Sequence, residues 1–236
     1  MMMFPSVRKG LALVVFLFCV FEAAVALSPA LASGISGTSK VAPGVCVLAP
    51  AQEYNHFLRK ATVFLLEHSE EGSYGVNLVS PTMLTIGEAA QGVVTGPLAE
   101  NRLYMGGEYG GRGALLLHDT ADLPGAVRMG ESEVYVGGIK AAQDLVASGD
   151  REASEFKFFF NVAKWGPGEL QAAVDEKRWS AFHLPKEIVL SQDATVAVGD
   201  LWSFVKRSHK ERQEEEEEEA SSSSGSSSGA VATQVI

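Results

Sequence analysis

Short apolar runs separated by polar or glycine-rich turns make up the middle of the chain. The runs at 61–66 and 156–162 have the length of buried strands, and a glycine-marked turn after the first run predicts a hairpin over 61–79. Apolar residues at helical spacing predict a helix over 139–148. Because strands and helices mix without a regular strand–helix repeat, the pattern predicts an α+β fold. Further strands are predicted at 45–49, 103–105, 113–118, 134–136, 179–184 and 188–190.

Capping and periodicity signals predict three more helices. Thr85 and Glu88 have the spacing of a capping box, and Pro167 stands where a first helical turn is expected. Amphipathic spacing marks the last helix of the body. The predicted helices cover 85–91, 168–178 and 197–207. The glycine-rich segment 106–113 is predicted to form a tight hairpin loop between two strands.

Both ends of the chain differ in composition from the body. Residues 1–26 have the positive, apolar and small-residue regions of a secretory signal peptide. Residues 27–40 lack acidic residues and are rich in Ser, Ala and Gly, which is typical of a transit peptide or a linker. This two-part leader predicts delivery to a secondary plastid, with secretion as the alternative. The body is predicted at 41–207, and the Glu-rich and Ser/Gly-rich tail at 208–236 is predicted to be disordered.

Charge and cysteine content limit the partners and chemistry that we expect. The formal net charge is −10, and residues 27–205 hold thirteen basic and twenty-one acidic residues. An acidic body repels phosphate backbones, so nucleic acid is not an expected partner. Once the leader is removed, Cys46 is the one cysteine, which excludes an intramolecular disulfide and favours a buried, inert thiol. No cofactor is predicted, and no membrane span in the mature form.

Two motifs stand where a predicted strand meets a turn. They are Glu67-His68-Ser69-Glu70-Glu71-Gly72 and Trp165-Gly166-Pro167-Gly168-Glu169-Leu170. The motifs between and after them are Gly75, Pro81-Thr82, Leu103-Tyr104-Met105-Gly106-Gly107, Arg112-Gly113, Leu116-Leu117-His118 and Trp179. In this order they closely resemble the YqgE/AlgH family over about residues 44–205.

The resemblance implies an α+β fold in which a bent mixed sheet forms a partial barrel with helices packed outside. Bacterial members of the family carry the label of transcriptional regulators, which a likeness of fold alone does not establish. The chain departs from the family where the usual Asn-Arg-Pro is Val79-Ser80-Pro81 and where the usual Gly-Gly-Pro is Gly106-Gly107-Glu108. Loss of that Arg weakens any proposal of an anionic ligand at the hairpin exit.

His68, Glu71 and His118 are the candidates for catalysis. His68 with its neighbouring glutamates has the side chains for acid–base chemistry or for a metal site, and His118 could converge with it across the sheet. The ligand spacing is not that of a known metal motif, and no Ser or Cys stands in a nucleophile-elbow context. The alternatives are a polar turn at the hairpin and a structural His118, and no metal is predicted.

Trp165, Gly166, Gly168 and Glu169 are the candidates for ligand binding. A strand-to-helix corner of this type aims backbone N–H groups outward, where they can accept an anion or a carboxylate. Glu169 could instead satisfy that helix end from within the chain. The alternative is a rigid corner with Trp165 packed on the sheet.

Together these observations predict a non-enzymatic protein with a binding or regulatory role and an unidentified protein or small-molecule partner. One alternative is an enzyme or small-ligand binder that uses His68, His118 and the corner at 165–170. Another is the transcriptional regulator that the bacterial label suggests.

Overall fold

The structure, a computed structural model, describes residues 29–192 and 200–225, and one eleven-stranded sheet organises them. The strands are β1 Ser36–Thr38, β2 Cys46–Leu48, β3 Thr62–Ser69, β4 Gly72–Asn77, β5 Pro81–Thr85, β6 Arg102–Met105, β7 Tyr109–His118, β8 Ala126–Arg128, β9 Tyr135–Gly137, β10 Lys157–Trp165 and β11 Ser180–His183. The α-helices are α1 Pro29–Ala32, α2 Ile86–Ala89, α3 Ile139–Ser148, α4 Glu169–Asp175, α5 Lys186–Leu190 and α6 Asp200–Gly225, and 3-10 turns cover Gly96–Glu100 and Ala153–Glu155.

The sheet curls into a half-barrel. Its strand order is β1-β11-β2-β3-β4-β10-β7-β9-β8, and β6 pairs parallel to β10 while β5 pairs antiparallel with β6. The turn after β8 comes back to the loop before β2, since a methyl group added at Gly44 would overlap the carbonyl oxygen of Met129. Gly130 meets the carbonyl of Pro43 in the same way. The α+β class and the partial barrel predicted from the sequence are confirmed.

Successive side chains along each strand point to opposite faces of the curled sheet. The concave face holds one apolar cluster, which we call the barrel interior, and it includes Cys46, Phe64 and Phe159. On the convex face, α4 covers a cluster around Trp179, and α2 and α3 cover another around Phe158. The helices therefore pack mainly outside the sheet, and α5 and α6 close the interior with Ile188, Val189, Leu201, Phe204 and Val205.

Several elements form as the sequence predicts. The hairpin is β3 and β4, although its turn is shorter than expected because β3 continues through Ser69. The capping box of Thr85 and Glu88 opens α2, with both reciprocal hydrogen bonds present. Helix α3 has the predicted bounds, and Gly149 ends it in the left-handed conformation, which favours glycine.

Three local predictions are wrong. Residues 188–190 belong to α5 rather than to a strand, because a short apolar run does not distinguish the two and both Ile188 and Val189 are buried on one side of a helical turn. The segment 106–113 is no hairpin loop, since β6 and β7 lie on opposite sides of β10 and β7 already begins at Tyr109. Helix α4 begins at Glu169, after Gly168 as N-cap, so Pro167 lies before the helix.

The body extends beyond both of its predicted boundaries. At the N-terminal side, β1 pairs with β11 and Ile35 is fully buried, so part of the stretch 27–40 belongs to the sheet. At the C-terminal side, α6 continues through the predicted disordered region as far as Gly225, because Glu, Lys, Arg and Gln are strong helix formers. Arg212 of α6 also donates to the carbonyl of Ala32 at 2.9 Å, which ties the two ends together. The predicted signal peptide 1–26 and the last residues, 226–236, lie outside the described residues.

Candidate functional site

The two motifs that are far apart in sequence form one corner of the molecule. His68 pairs with Ser73 across the hairpin, and Ser73 pairs with Trp165 of β10, so the three side chains lie side by side on the α4 face of the sheet. Gly72 fits because a methyl group there would overlap the carbonyl oxygen of Trp165. The β3–β4 turn and the Trp-Gly-Pro-Gly turn are therefore in direct backbone contact.

Side chains of the first motif are engaged in the hairpin or exposed to solvent. The Nδ1 of half-buried His68 lies 2.7 Å from the hydroxyl oxygen of Ser73. Glu71 is exposed, and its backbone N–H donates to the hydroxyl of Ser69 at 3.3 Å. Glu70 is exposed beside it, and Glu67 is half-buried. His68 thus orders the hairpin end, while Glu70 and Glu71 face outward.

The second motif closes its own helix end. The Glu169 carboxylate accepts the Gly166 N–H at 2.8 Å, and α4 is only seven residues long. The Glu169 N–H in turn donates to the Gly166 carbonyl at 3.2 Å, so both hydrogen bonds are made within the turn. Trp165 packs edge-on against Trp179, with ring centroids 5.4 Å apart, as expected for an aromatic pair that fixes a corner. Gly166 and Gly168 are exposed backbone positions of the turn.

The exposed side of this corner carries negative charge. Carboxylates of both motifs surround it, and we call this surface, formed by Glu70, Glu71 and Glu169, the acidic corner. Lys164 on β10 is the exposed cation that precedes it in sequence. A cluster of this kind attracts cationic groups and repels phosphate, so its chemistry fits a basic partner surface.

His118 lies elsewhere and is fully buried at the end of β7. Its Nδ1 accepts the Thr120 N–H at 3.1 Å, and its ring stacks on Tyr135 and contacts Phe156. The neutral tautomer then carries its proton on Nε2, which faces the carbonyl of Gly137 without a well-formed hydrogen bond. Burial lowers the pKa of His118, and the Gly137 carbonyl and the Asp119 carboxylate offset part of that effect.

Asp119, next to His118, anchors an ion network instead of orienting the imidazole. Lys186 lies 3.1 Å from Asp119, Arg151 pairs with the same carboxylate, and Arg151 also lies 3.1 Å from Glu155. Despite partial burial, the hydrogen bonds and charges of Lys186 and Arg151 hold the pKa of Asp119 below its usual value. The network joins β7 to α5, which is a structural role.

The candidate catalytic residues do not converge. His68 is level with Trp165 at one end of β10, whereas Leu117, next to His118, pairs with Lys157 at the other end. At roughly 3.3 Å per residue along the strand, the two histidines lie more than about 25 Å apart. His68 lies on the α4 face, whereas His118 contacts Phe156 in the cluster beneath α3. Within residues 29–192 and 200–225, no group of three or more His, Cys, Asp or Glu could hold a metal ion.

Sequence reasoning missed Lys157, which is the least expected ionisable group in the barrel interior. The residue is 2% exposed, its amine donates to the carbonyl of Ser191 at 2.6 Å, and it lies 4.7 Å from the centre of the Tyr104 ring. Burial lowers its pKa from 10.5 to about 7. The sequence offered one signal for this burial: Lys157 precedes three phenylalanines at the start of β10. Because side chains alternate along a strand, Lys157 lies on the same face as Phe159.

The fold and the site define the class of protein. It is an α+β domain with one curled sheet and a corner built from glycine and tryptophan residues. Among its described residues, the candidate catalytic groups do not come together. The AlgH-like family model matches residues 46–211, which is more than half of the chain. The chain therefore belongs to the AlgH-like family, as the motifs indicate.

Known relatives agree with this assignment. A UPF0301 protein of Chlorobium limicola is 26% identical over 170 residues, covering 72% of this chain and 87% of the relative. The UPF0301 protein CT0663 of Chlorobaculum tepidum is 29% identical over 152 residues, covering 64% of this chain and 80% of the relative. The crystal structure of DIP2367 from Corynebacterium diphtheriae has the same fold, with a TM-score of 0.56, 22% identity, and coverage of 71% of this chain and 87% of that one.

One further observation concerns membranes. Among the helices of the described ranges, none is long and apolar enough to cross a bilayer.

Proposed function

We propose that this chain is a non-enzymatic binding protein that holds a basic protein partner at the acidic corner. The observation that carries the proposal is the convergence of the two motifs in one surface. Their polar groups are either engaged within the chain, as in His68 with Ser73 and Glu169 with Gly166, or exposed as carboxylates. A surface of this type supports recognition by charge and shape more than it supports bond making.

The separation of the candidate catalytic groups supports the same proposal. A general base must reach the proton that it takes, at a heavy-atom distance of roughly 2.6–3.2 Å or through one water. The hydroxyl of Ser73 already occupies one nitrogen of His68, and His118 has no exposed surface. The acidic corner, in contrast, is open to solvent at Glu70 and Glu71.

Charge reversal at the hairpin tip tests the proposal. The double variant Glu70→Lys/Glu71→Lys changes two exposed side chains without touching the Glu169 cap or the His68 contact. The matched control is Glu100→Lys/Asp144→Lys, which makes the same charge change on exposed positions of another surface. Each protein is used for affinity capture from an extract of the source cells, followed by quantitative mass spectrometry at low and high salt.

We expect a set of basic proteins that wild type and control retain and that the tip variant loses by about tenfold or more at low salt. Charged surfaces act mainly through salt-sensitive association, so high salt should reduce the wild-type signal as well. Equal capture by wild type and tip variant would contradict the proposal. Turnover of a phosphoester or peptide panel by the wild type that His68→Ala abolishes would replace it with the enzymatic alternative.

A further inference from the structure

Two lysines lie against the half-buried side chain of Trp202 on α6. The indole N–H donates to the carbonyl of Ala49 at 2.6 Å, which fixes the ring against the chain that follows β2. The amine of Lys206 lies 4.7 Å from the ring centre, and the amine of Lys60 lies 5.7 Å from it. Both lysines are exposed, and a tryptophan ring attracts ammonium ions. The ring therefore brings two like charges of distant parts of the sequence onto one surface.

Arg59 adds a third cation to this surface. It is exposed and precedes Lys60, and its Nε donates to the backbone carbonyl of Glu53 at 3.3 Å. The Glu53 carboxylate accepts two backbone N–H groups of its own loop, at 2.9 and 3.4 Å, so it is engaged within that loop. We call the surface formed by Arg59, Lys60 and Lys206 the basic rim.

The basic rim and the acidic corner lie at opposite ends of one strand. Lys60 stands two residues before β3, which begins at Thr62, and Glu70 directly follows Ser69, its last residue. The eight residues of β3, at roughly 3.3 Å each, span about 26 Å. The protein therefore presents three cations at one end of β3 and three carboxylates at the other.

Surfaces of opposite charge at opposite ends of a molecule can meet between copies of the same chain. We infer that the basic partner of the acidic corner is a second copy of this protein, which docks there through its basic rim. This inference rests on the proposed function and names its partner. The contact joins two different surfaces, so it leaves one acidic corner and one basic rim free. Further copies can add in the same way, to form an open chain or a closed ring.

Ionic strength separates the local attraction from the overall repulsion between two copies. The formal net charge is −10, so two copies repel each other at long range. At about 0.1 M salt the Debye length is about 10 Å, so charges across the contact still attract while charges at the far ends are screened. At about 1 M salt the Debye length is about 3 Å, and the attraction across the contact is screened as well. We therefore expect association to be stronger at 0.1 M than at 1 M salt.

Sedimentation equilibrium over a range of protein concentrations tests the inference. Each protein is produced in the source cells, which process any leader. We expect wild type to associate at about 0.1 M salt, with an association constant that falls about tenfold or more at 1 M. The tip variant Glu70→Lys/Glu71→Lys and the rim variant Lys60→Glu/Lys206→Glu should each lower that constant about tenfold or more at 0.1 M salt.

Mixing the two variants tests whether these two surfaces meet each other. The tip variant carries mainly basic charge at both ends of β3, and the rim variant carries mainly acidic charge at both. Neither should associate alone, whereas an equimolar mixture should, because each contact then joins opposite charges. The matched controls change exposed charges of other surfaces and should each keep the wild-type constant. They are Glu100→Lys/Asp144→Lys for the tip variant and Lys40→Glu/Lys140→Glu for the rim variant.

The outcomes distinguish failure of this inference from failure of the proposed function. If wild type stays monomeric while the tip variant alone loses captured basic proteins, the partner is another protein and the second copy is refuted. If wild type stays monomeric and captures the same proteins as the tip variant, both proposals fall. If the rim variant dissociates and the tip variant does not, the rim meets another acidic surface, such as the glutamate run at 214–219, and the inference is overturned.

Discussion

Gly72→Ala tests whether contact between the two motifs determines the corner. Gly72 begins β4 with a φ of +127°, a conformation that side chains rarely adopt. A methyl group there would overlap the carbonyl oxygen of Trp165 and lie 3.3 Å from the carbonyl carbon of Gly166. The substitution therefore strains the backbone and pushes the turn of the second motif away from the hairpin.

The loss of stability in Gly72→Ala has two causes, the strained backbone conformation and the overlap with packed backbone, and a second glycine separates them. Gly92 also has a positive φ, +77°, but a methyl group added there meets nothing within 4 Å. Gly92→Ala should cost about 1–2 kcal/mol, which is the left-handed strain alone. Gly72→Ala carries similar or larger strain plus displacement of packed backbone, so we expect about 3–4 kcal/mol in total.

Urea unfolding of the two variants, followed by tryptophan fluorescence, measures both values. Trp165 and Trp179 form the edge-on pair at the corner, and Trp202 on α6 is the third tryptophan, so the signal reports the corner together with α6. We expect Gly72→Ala to lose roughly 2 kcal/mol more than Gly92→Ala in the free energy of unfolding. Equal losses would refute the idea that backbone contact between the motifs shapes the corner.

Two other predictions concern the N-terminal segment and pH. Ile35→Ala should lower the free energy of unfolding by about 2–4 kcal/mol, because Ile35 is fully buried; a loss below 1 kcal/mol in urea unfolding would exclude residues 29–40 from the stable fold. N-terminal sequencing of the protein from its source cells should accordingly find the first residue before Ile35. Because burial lowers the pKa of His118, the free energy of unfolding should fall as the pH drops below about 6.5. His118→Asn should remove this pH dependence, whereas the control His56→Asn, at an exposed position, should leave it unchanged.

Local signals in the sequence were sufficient to predict the hairpin, α2 and α3. Each of these elements has its determinants within a few residues, such as the capping box of Thr85 and Glu88 or the stop at Gly149. The prediction of a hairpin loop between β6 and β7 was wrong for the opposite reason. The two strands are next to each other in sequence, yet each pairs with β10, some forty residues or more away. The glycine-rich segment between them does not indicate this long-range pairing.

The ends of the body show the same limit. Composition indicated a leader or linker before residue 41, but the fold incorporates β1 because its backbone completes the free edge of β11 and Ile35 fills the interior. The long α6 follows local propensity, yet its contact with α1 through Arg212 depends on tertiary structure. At the candidate site, the sequence identified the residues of both motifs but not their contact, and it missed Lys157, whose burial depends on the register of β10 and the position of α5.

The internal contacts of the corner explain why its residues look catalytic in sequence without forming a catalytic set. His68 is held by Ser73, Glu169 caps its own turn, and Gly72 permits the approach of Trp165. Each of these motif residues has a partner within the chain, so their side chains and backbone build the shape of the corner. The groups that remain free to meet another molecule are Glu70 and Glu71 at the hairpin tip. If the corner binds the basic partner that we propose, variation at those two positions should change binding and leave the fold intact, whereas variation at His68 or Gly72 should change the fold of the corner itself.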